Sequence, residues 1–345
     1  MSRKYLLAAG WLLVLLLFTV AGAGETKLSI EGNRFLVNGE PFDMWGIRVS
    51  SAGQSDKYTD HLIEQLDDYR DHGVNAVTVF FQGSSGGYSD PFSPDGTRID
   101  PNHLGRMKRI IEACDEREMV VVVGVIYQRT IQHKRKLADA AAVRNAVRTV
   151  ARELAACDNI IINIANEQNS NRYRGWSGYD FRDPENIIEL CRVVREQDPD
   201  RLVGGGGYDD EKSLTIGLSP HVDVLLFDTT GPDRDNSSGW HHDYFVENGV
   251  RDKPIVNVEL YGGWTGQFKD PPGHFPDDVK AIYYRDAKDA ATRKGLSVFF
   301  HSNVWCQGPS DGFPLRYDLA GQGTKTDPGI HWYFDYVESL RTDAL

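Results

Sequence analysis

Two largely apolar stretches of the chain each end in a carboxylate. Ile161-Ile162-Asn163-Ile164-Ala165 closes in Asn166-Glu167, and Ile255-Val256-Asn257-Val258 closes in Glu259. Buried apolar strands seldom end in an unpaired charge without a reason, so these two acids are the first candidates for chemistry. Two carboxyls facing each other across a cleft can divide the work of breaking a glycosidic bond. One gives and later takes a proton, while the other attacks the sugar carbon or orients water. Other apolar runs also close on polar groups: Arg48, Gln82, Tyr127-Gln128, Tyr208, Asp228 and the segment from His301 to Trp305.

For such groups to meet, the elements that carry them must bring their ends to one place. After a short β-hairpin expected over 27–42, apolar segments recur at 42–49, 74–81, 120–126, 159–164, 201–203, 222–227, 254–258 and 297–300. They have the length and β-branched content of buried strands. Amphipathic helices are expected between them at 60–72, 102–118, 137–157, 184–196 and 277–294, and a terminal one at 328–340. Eight β-α units strung singly argue for a closed parallel (β/α)8 barrel, the TIM barrel, within the α/β class. Long loops at 82–100, 168–183, 229–252 and 262–276 take up the extra length. An open doubly wound sheet is the alternative, but no G-x-G-x-x-G follows the first strand, and the glycines at 204–207 lack a following Lys-Ser/Thr.

In a closed barrel, residues just past the carboxyl ends of the strands build the site. The strands carrying Glu167 and Glu259 lie three steps apart on a ring of radius roughly 7 Å, which puts their Cα atoms about 13 Å apart. Two inward glutamates, each reaching about 4 Å, would leave roughly 5 Å between carboxyls. That is the spacing of a retaining glycosidase rather than an inverting one, which needs about 6.5–9.5 Å.

Composition narrows the class. The chain has 345 residues, 40% of them hydrophobic and 26% charged, which fits one globular domain able to bury a core. Its formal charge of −12, from 38 basic and 50 acidic residues, disfavours nucleic acid as a partner. Polyanionic glycans are disfavoured for the same reason, unless a local basic cleft overrides the net charge. Residues 1–23 have the basic start, apolar run and small-residue end of a secretory signal peptide, with cleavage expected after Ala23. The remaining 24–345 are read as one exported domain, with no membrane attachment once the signal is removed. An uncleaved anchor helix is the alternative.

Cys114, Cys157, Cys191 and Cys306 are too few and too scattered for a disulfide framework, so buried free thiols are expected, with a Cys114–Cys157 bridge as the alternative. His241-His242-Asp243 invites a metal reading, but adjacent residues of an extended loop point opposite ways, and no metal is assigned. No cofactor is assigned either. Tyr173, Trp176, Trp240 and Trp264 fall in the long loops, where aromatic faces could stack on sugar rings.

The Asn-Glu pair after the fourth strand, the Glu after the seventh and the Trp after the eighth together resemble the clan A glycoside hydrolases, nearest to the cellulase-like family five. The opening Phe35-Leu36-Val37-Asn38-Gly39-Glu40-Pro41-Phe42, followed by Gly46, resembles the entry to that barrel. The resemblance covers essentially the whole chain after residue 23. It implies that Glu167 is the acid/base, Glu259 the nucleophile, Asn166 the amide that binds the sugar 2-hydroxyl, and Trp305 the aromatic floor under the sugar. The sequence departs from that pattern in three places. Val77-Thr78-Val79 lacks the arginine usual on the second strand, for which Arg48 could substitute. Phe227-Asp228-Thr229 stands where histidine and tyrosine are usual, and Tyr127-Gln128 where a histidine is usual.

The expected function is a secreted retaining glycoside hydrolase acting on a β-linked poly- or oligosaccharide without a cofactor. Glu167 and Glu259 are the expected catalysts; Asn166, Trp305, Arg48, Tyr208, Asp228 and His301 are the expected substrate-binding residues. A catalytically silent carbohydrate-binding barrel, motivated by the departures, is the rival, and a metal-dependent barrel hydrolase a third reading. Neither the glycan nor the oligomeric state follows from the sequence.

Overall fold

The computed structural model describes residues 26–84, 87–176, 178–261, 271–306 and 315–342. The expected signal peptide, Trp264 and most of the expected 262–276 loop lie outside these residues. The first described elements form an antiparallel sheet: β1 (Leu28–Glu31), β2 (Arg34–Val37) and β3 (Glu40–Phe42), in that order. The expected hairpin is therefore a three-stranded meander, because the turn at Asn38-Gly39, where both residues have positive φ, sends a further strand back along β2.

Eight parallel strands then close a barrel: β4 (Trp45–Arg48), β5 (Ala76–Phe80), β6 (Val120–Ile126), β7 (Ile160–Ala165), β8 (Val203–Gly205), β9 (Val224–Asp228), β10 (Ile255–Glu259) and β11 (Leu296–Phe300). Pairing of β11 with β4 closes the ring and excludes the open sheet. Helices α1 (Asp56–Ile63), α2 (Leu66–Asp71), α3 (Pro101–Asp115), α4 (Gln128–His133), α5 (Ala140–Glu153), α6 (Pro184–Gln197), α7 (Asp210–Gly217), α8 (Ser238–Glu247), α9 (Asp277–Thr292) and α10 (His331–Thr342) complete the architecture.

The helix boundaries follow the caps. The helix expected over 137–157 begins later, because the Asp139 side chain accepts a hydrogen bond from the Ala142 N–H. The helix expected over 60–72 is two helices, α1 and α2. The segment 229–252, expected as a loop, contains α8, capped by Ser237, whose side chain accepts from the Trp240 N–H. Gly, Pro, Asp, Asn and Ser upstream of that cap masked the helix in the sequence. Helices α4 and α7 are likewise additions. The four cysteines are free thiols; three are buried and Cys157 is half-buried.

Side-chain alternation along the strands divides the core in two. On β6, Val121, Val123 and Val125 face the helices, while Val120 and Val122 face the barrel lumen. The lumen also takes Ala76, Ile161, Val224, Leu226, Val256, Val258 and Phe299, and the apolar face of the first sheet (Leu28, Phe35 and Val37) plugs its lower mouth. Two lumen positions must be glycine. A Cβ on Gly46 would stand 2.1 Å from the Phe299 ring, and one on Gly124 would stand 1.9 Å from the Phe80 ring. The glycines at 204–207 serve packing too: a Cβ on Gly206 would stand 1.5 Å from the Leu226 carbonyl oxygen, so no phosphate cradle is needed to explain them.

Gly124→Ala should therefore destabilise the protein by about 1–3 kcal/mol through overpacking against Phe80. Urea unfolding of the variant beside the parent protein checks this, and an unchanged midpoint would contradict the packing described.

Candidate active site

The upper end of the barrel holds a cavity of about 260 Å³ lined by Gln128, Glu167, Ser170, Arg172, Tyr208, Asp228, Thr229, Thr230, Glu259 and Tyr261. Glu167 and Glu259 thus meet at one opening, together with Tyr208 and Asp228 from the sequence-derived set. How each acid reaches it follows from its strand.

Glu259 depends on a register change. On β10, Val256 and Val258 face the lumen, so strict alternation would point residue 259 away from it. The pairing of β10 with β9 shifts between Asn257 and Glu259, and a bulge of that kind re-aims the following side chain. Asn257 holds the irregular turn: its Oδ1 accepts from the Glu259 N–H at 3.0 Å, and its Nδ2 donates to Ser238 Oγ at 2.8 Å. Glu259 is then paired across the ladder with Asp228.

Arg48 lies fully buried beside Glu259, its Nη2 3.0 Å from Glu259 Oε2 and 2.7 Å from Asn166 Oδ1. Its Nη1 donates to the Val258 carbonyl at 3.3 Å, and its guanidinium lies over the Phe80 ring, 5.2 Å from the centroid. Burial opposes its charge, but Glu259, Tyr127, Asp228 and Glu167 together outweigh that and raise its pKa. The β4–β5 register pairs Arg48 with Thr78, so the arginine stands one strand from the place the family pattern uses, at the same height. Of the two readings open for it, substrate contact or an ion pair with Glu259, the ion pair is the contact the structure holds, and the side chain has no exposed surface.

Glu167 follows β7 with φ of +43°, a left-handed conformation that costs a non-glycine residue of order 1–3 kcal/mol. The Glu167 carbonyl accepts from the Ser170 N–H at 2.8 Å. Gln128 Nε2 donates to Glu167 Oε2, and Gln128 Oε1 accepts from Asn166 Nδ2 at 3.0 Å. A chain of contacts therefore runs Glu259–Arg48–Asn166–Gln128–Glu167. The Glu167 carboxyl is pushed up to about 8, first by burial and then by the charge of Glu259, against the pull of Arg48, Arg172 and Arg129. Burial, then Glu259 and Glu167, also push the Asp228 carboxyl well above its usual range. Asp228 is 4% exposed, and its Oδ1 is buried with no hydrogen-bond partner among the described residues.

Two further expected binding residues lie away from the cavity. Trp305 is 3% exposed; its Nε1 donates to the Asp318 carbonyl at 2.7 Å, and the Arg316 guanidinium covers its ring at 4.0 Å. The indole is packed among described residues and does not line the cavity. His301 is fully buried, with Nδ1 3.7 Å from Glu259 Oε1 and 3.3 Å from the Leu260 carbonyl.

The loop aromatics divide similarly. Tyr173 is buried and donates from its hydroxyl to the Asn166 carbonyl at 2.8 Å, and Trp176 stacks on Phe181. Trp240 sits on α8, stacked on Tyr244. His241 and His242 are on α8 too, not in an extended loop. They pair with different acids: His241 with Asp210 at 2.8 Å and His242 with Asp243 at 3.0 Å. No group of three or more potential ligands that could hold a metal occurs among the described residues.

Gln128, Arg172 and Tyr261 were absent from the sequence-derived site. Gln128 was visible only as the polar residue closing the third apolar run. Tyr261 stands two residues past Glu259, and Arg172 lies in a long loop whose sequence carries no positional signal.

A model of the cellulase family (glycosyl hydrolase family 5) matches residues 36–300. The fold is similar to the endo-1,4-beta-mannanase of Rhizomucor miehei, with a TM-score of 0.63 and 15% identity over 92% of this chain and 100% of that one. It is similar to the beta-mannanase of the blue mussel Mytilus edulis, with a TM-score of 0.54 and 18% identity over 81% and 92%. It is also similar to a beta-glucanase of Saccharophagus degradans, with a TM-score of 0.58 and 14% identity over 93% and 94%. No curated protein matches the chain in sequence. No helix of the described residues is long and apolar enough to cross a membrane.

The raised Glu167 carboxyl has a consequence for stability. Between its ordinary value of 4.5 and about 8, the folded chain keeps a proton here that the unfolded chain has released. The native state then binds more protons, so the stability this group contributes is fully present below about 4.5 and is lost as pH rises through about 8. Urea midpoints should fall from pH 5 to pH 8.5, and Glu167→Gln should fall less steeply; parallel curves would contradict the shift.

Proposed function

The chain belongs to the cellulase family, glycosyl hydrolase family 5, and from that premise we propose that it is a secreted retaining glycosidase acting on a β-linked poly- or oligosaccharide. The observation that carries the proposal is the pair of glutamates opening on one cavity and joined beneath it through Arg48, Asn166 and Gln128. Residues 1–23 are proposed to be removed on export and 24–345 to act as one domain.

In the proposed first step, Glu259 attacks the anomeric carbon while Glu167, still protonated, donates its proton to the departing oxygen. Arg48 keeps Glu259 ionised and aimed, and His301 borders its other oxygen. Glycosylation neutralises Glu259, and with it one of the charges that hold the proton on Glu167. Glu167 then takes a proton from water, and the hydroxide equivalent releases the sugar with its original configuration. Asn166 uses its Oδ1 toward Arg48 and one N–H toward Gln128, which leaves a second N–H for the sugar 2-hydroxyl. Asp228, when neutral, can donate to a sugar hydroxyl, as can Tyr208 at the rim.

Glu259→Gln should abolish turnover of every glycan that the parent protein cleaves. Glu167→Gln should lose about 10²–10⁴-fold on natural linkages and much less on aryl glycosides whose leaving group needs no proton. Equal losses on both substrates would remove Glu167 from the acid role. NMR of the first product should show the retained anomer, and an inverted one would overturn the double displacement. A protein that binds glycans but turns over none, in either form, would be the silent binding barrel instead.

The pH profile gives an independent check. Since Glu167 must be protonated to act, kcat/KM should fall on the alkaline side near pH 8, where that carboxyl ionises. A profile that falls instead between pH 4 and 6 would contradict its assignment.

A further inference from the structure

The rim of the cavity carries charge opposite to that of the protein as a whole. The chain has a surplus of acids, 50 against 38 basic residues. Some of its surface cations are paired, as in Arg117–Asp67, Arg144–Glu189, Arg293–Asp243 and Arg316–Asp318, and others across the surface, such as Lys57, Arg98, Arg192 and Lys288, are not. A further six are set apart by their place. Arg129, Lys134, Arg135, Lys136, Arg172 and Arg174 form no ion pair with any described residue. All six lie in the segments that follow two adjacent barrel strands, β6 and β7.

These side chains form one wall. Arg172 lines the cavity beside Glu167, and Arg129 adjoins Gln128, which also lines it. Helix α4 packs against the 171–173 turn. Arg129 Nη1 donates to Tyr88 Oη at 3.4 Å, the Lys134 ammonium lies 5.7 Å from the Tyr88 ring centroid, and the Arg135 guanidinium lies 5.6 Å from that of Trp176. Three of the cationic heads are thus held against aromatic rings, and Lys134, Arg135, Lys136, Arg172 and Arg174 are exposed. A helix C-terminus favours cations, and Lys134 follows that of α4. A helix of six residues does not account for a run of three there, and Arg172 and Arg174 belong to a different segment.

We propose that this wall receives the anionic groups of an acidic glycan, so that the substrate is a β-linked polysaccharide bearing uronic acid carboxylates or sulfate esters. The inference rests on the glycosidase reading for its site but names a substrate class that the reading leaves open. Among the described residues that line the cavity, the side at Asp228 and Tyr208 carries no cation, so the charge recognition proposed is on the side of Arg172. Placing fixed anions against unpaired cations raises the local substrate concentration and fixes direction of binding, and added salt weakens both.

The experiment uses the purified chain on four β-linked polymers, a neutral glucan, a neutral mannan, a uronate-bearing glycan and a sulfated glycan, at about 0.05 M and about 0.5 M NaCl. One of the two anionic polymers should be cleaved with the highest kcat/KM, and its KM should rise about tenfold at the higher salt with kcat little changed. Which of the two it is identifies the anionic group. Lys134→Gln/Lys136→Gln, at two exposed positions, should raise KM for the anionic polymer about fivefold relative to KM for a neutral oligosaccharide; adding Arg135→Gln should raise that ratio further. Thermal midpoints accompany both variants, so that lost folding is not read as lost recognition.

Glycan binding by Glu259→Gln, measured by calorimetry at both salts, separates the two proposals. Preferred, salt-insensitive cleavage of a neutral polymer would overturn the acidic substrate and leave the glycosidase standing. Salt-sensitive binding of an anionic glycan with no turnover by the parent protein would overturn the glycosidase and keep the ligand class. Equal binding of inorganic polyphosphate would show charge attraction without glycan recognition and overturn the inference, and failure to bind any glycan would overturn both.

Discussion

One buried cation governs the site. Arg48 stands without exposed surface among Glu167, Asp228 and Glu259, and a single positive charge cannot neutralise three carboxylates in a low-dielectric interior. The contact at 3.0 Å assigns the compensation to Glu259. The other two carboxyls are both shifted upward, first by burial and then by the charge of Glu259. Two acids made of the same atoms thereby stand in different surroundings, one against a guanidinium and the other pushed toward its neutral form by burial, which suits one to give a proton and the other to act as an anion. Removing the guanidinium would take away more than an ion pair, because the same Nη2 also orients Asn166, and through it Gln128 and Glu167.

The barrel makes that arrangement possible by controlling direction. Alternation on a strand allows every second residue into the lumen, and that rule places Arg48 on the lumen side with Gly46, and Asp228 with Val224 and Leu226. It would have turned Glu259 away. The β10 irregularity, braced by Asn257, corrects the direction at the last position of the strand, where no further pairing is lost. Glu167 shares the parity of Ile161, which faces the lumen, and its left-handed backbone lies just past the end of β7. Both proposed catalysts thus stand where regular structure is broken, and the regular strands beneath them resist the strain. Gly124 and Gly46 contribute at a distance: by yielding their side-chain space to Phe80 and Phe299, they allow the aromatic layer on which the Arg48 guanidinium lies.

Much of this was legible in the sequence, for a physical reason. Buried parallel strands need apolar residues on both faces, so β5, β6, β7 and β10 stand out as runs, and a carboxylate at the end of such a run is conspicuous. The strand order and the meeting of Glu167 with Glu259 follow from that pattern and from ring closure. What escaped depends on contacts that spacing does not encode. Trp305 reads as a strand-end aromatic, but Arg316 and the Asp318 carbonyl, contributed by a later segment, pack it away from the cavity. Tyr173 and Trp176 read as loop aromatics, although Phe181 folds back to bury them. Helix α8 was hidden behind turn-forming residues, and its His241 and His242 find separate aspartates instead of a shared metal. Gln128 illustrates the hardest case: its importance lies in bridging two residues nearly forty positions away, and nothing in its neighbours announces that.

Net charge was the least informative of the sequence properties, and the reason is electrostatic. A total of −12 describes the field far from the protein, whereas at physiological salt a charge acts over about 8 Å. At the cavity the groups that matter are Arg172, which lines it, Arg129, which acts on Glu167, and the acids beneath them. The acids are screened from outside by burial and by Arg48; the cations are exposed. An arriving chain of sugars would therefore meet positive charge first, even though the molecule that carries it is acidic. Two of the wall's cations, Arg172 and Arg129, pull down the Glu167 carboxyl that burial and Glu259 push up, so part of the wall that would bind an anionic glycan also bears on how readily the proposed acid gives up its proton. Docking a fixed anion against Arg172 would offset part of that pull and strengthen the hold of Glu167 on its proton until the bond is ready to break. Substrate charge and acid strength would then be linked through one arginine, and a neutral glycan would lack that coupling.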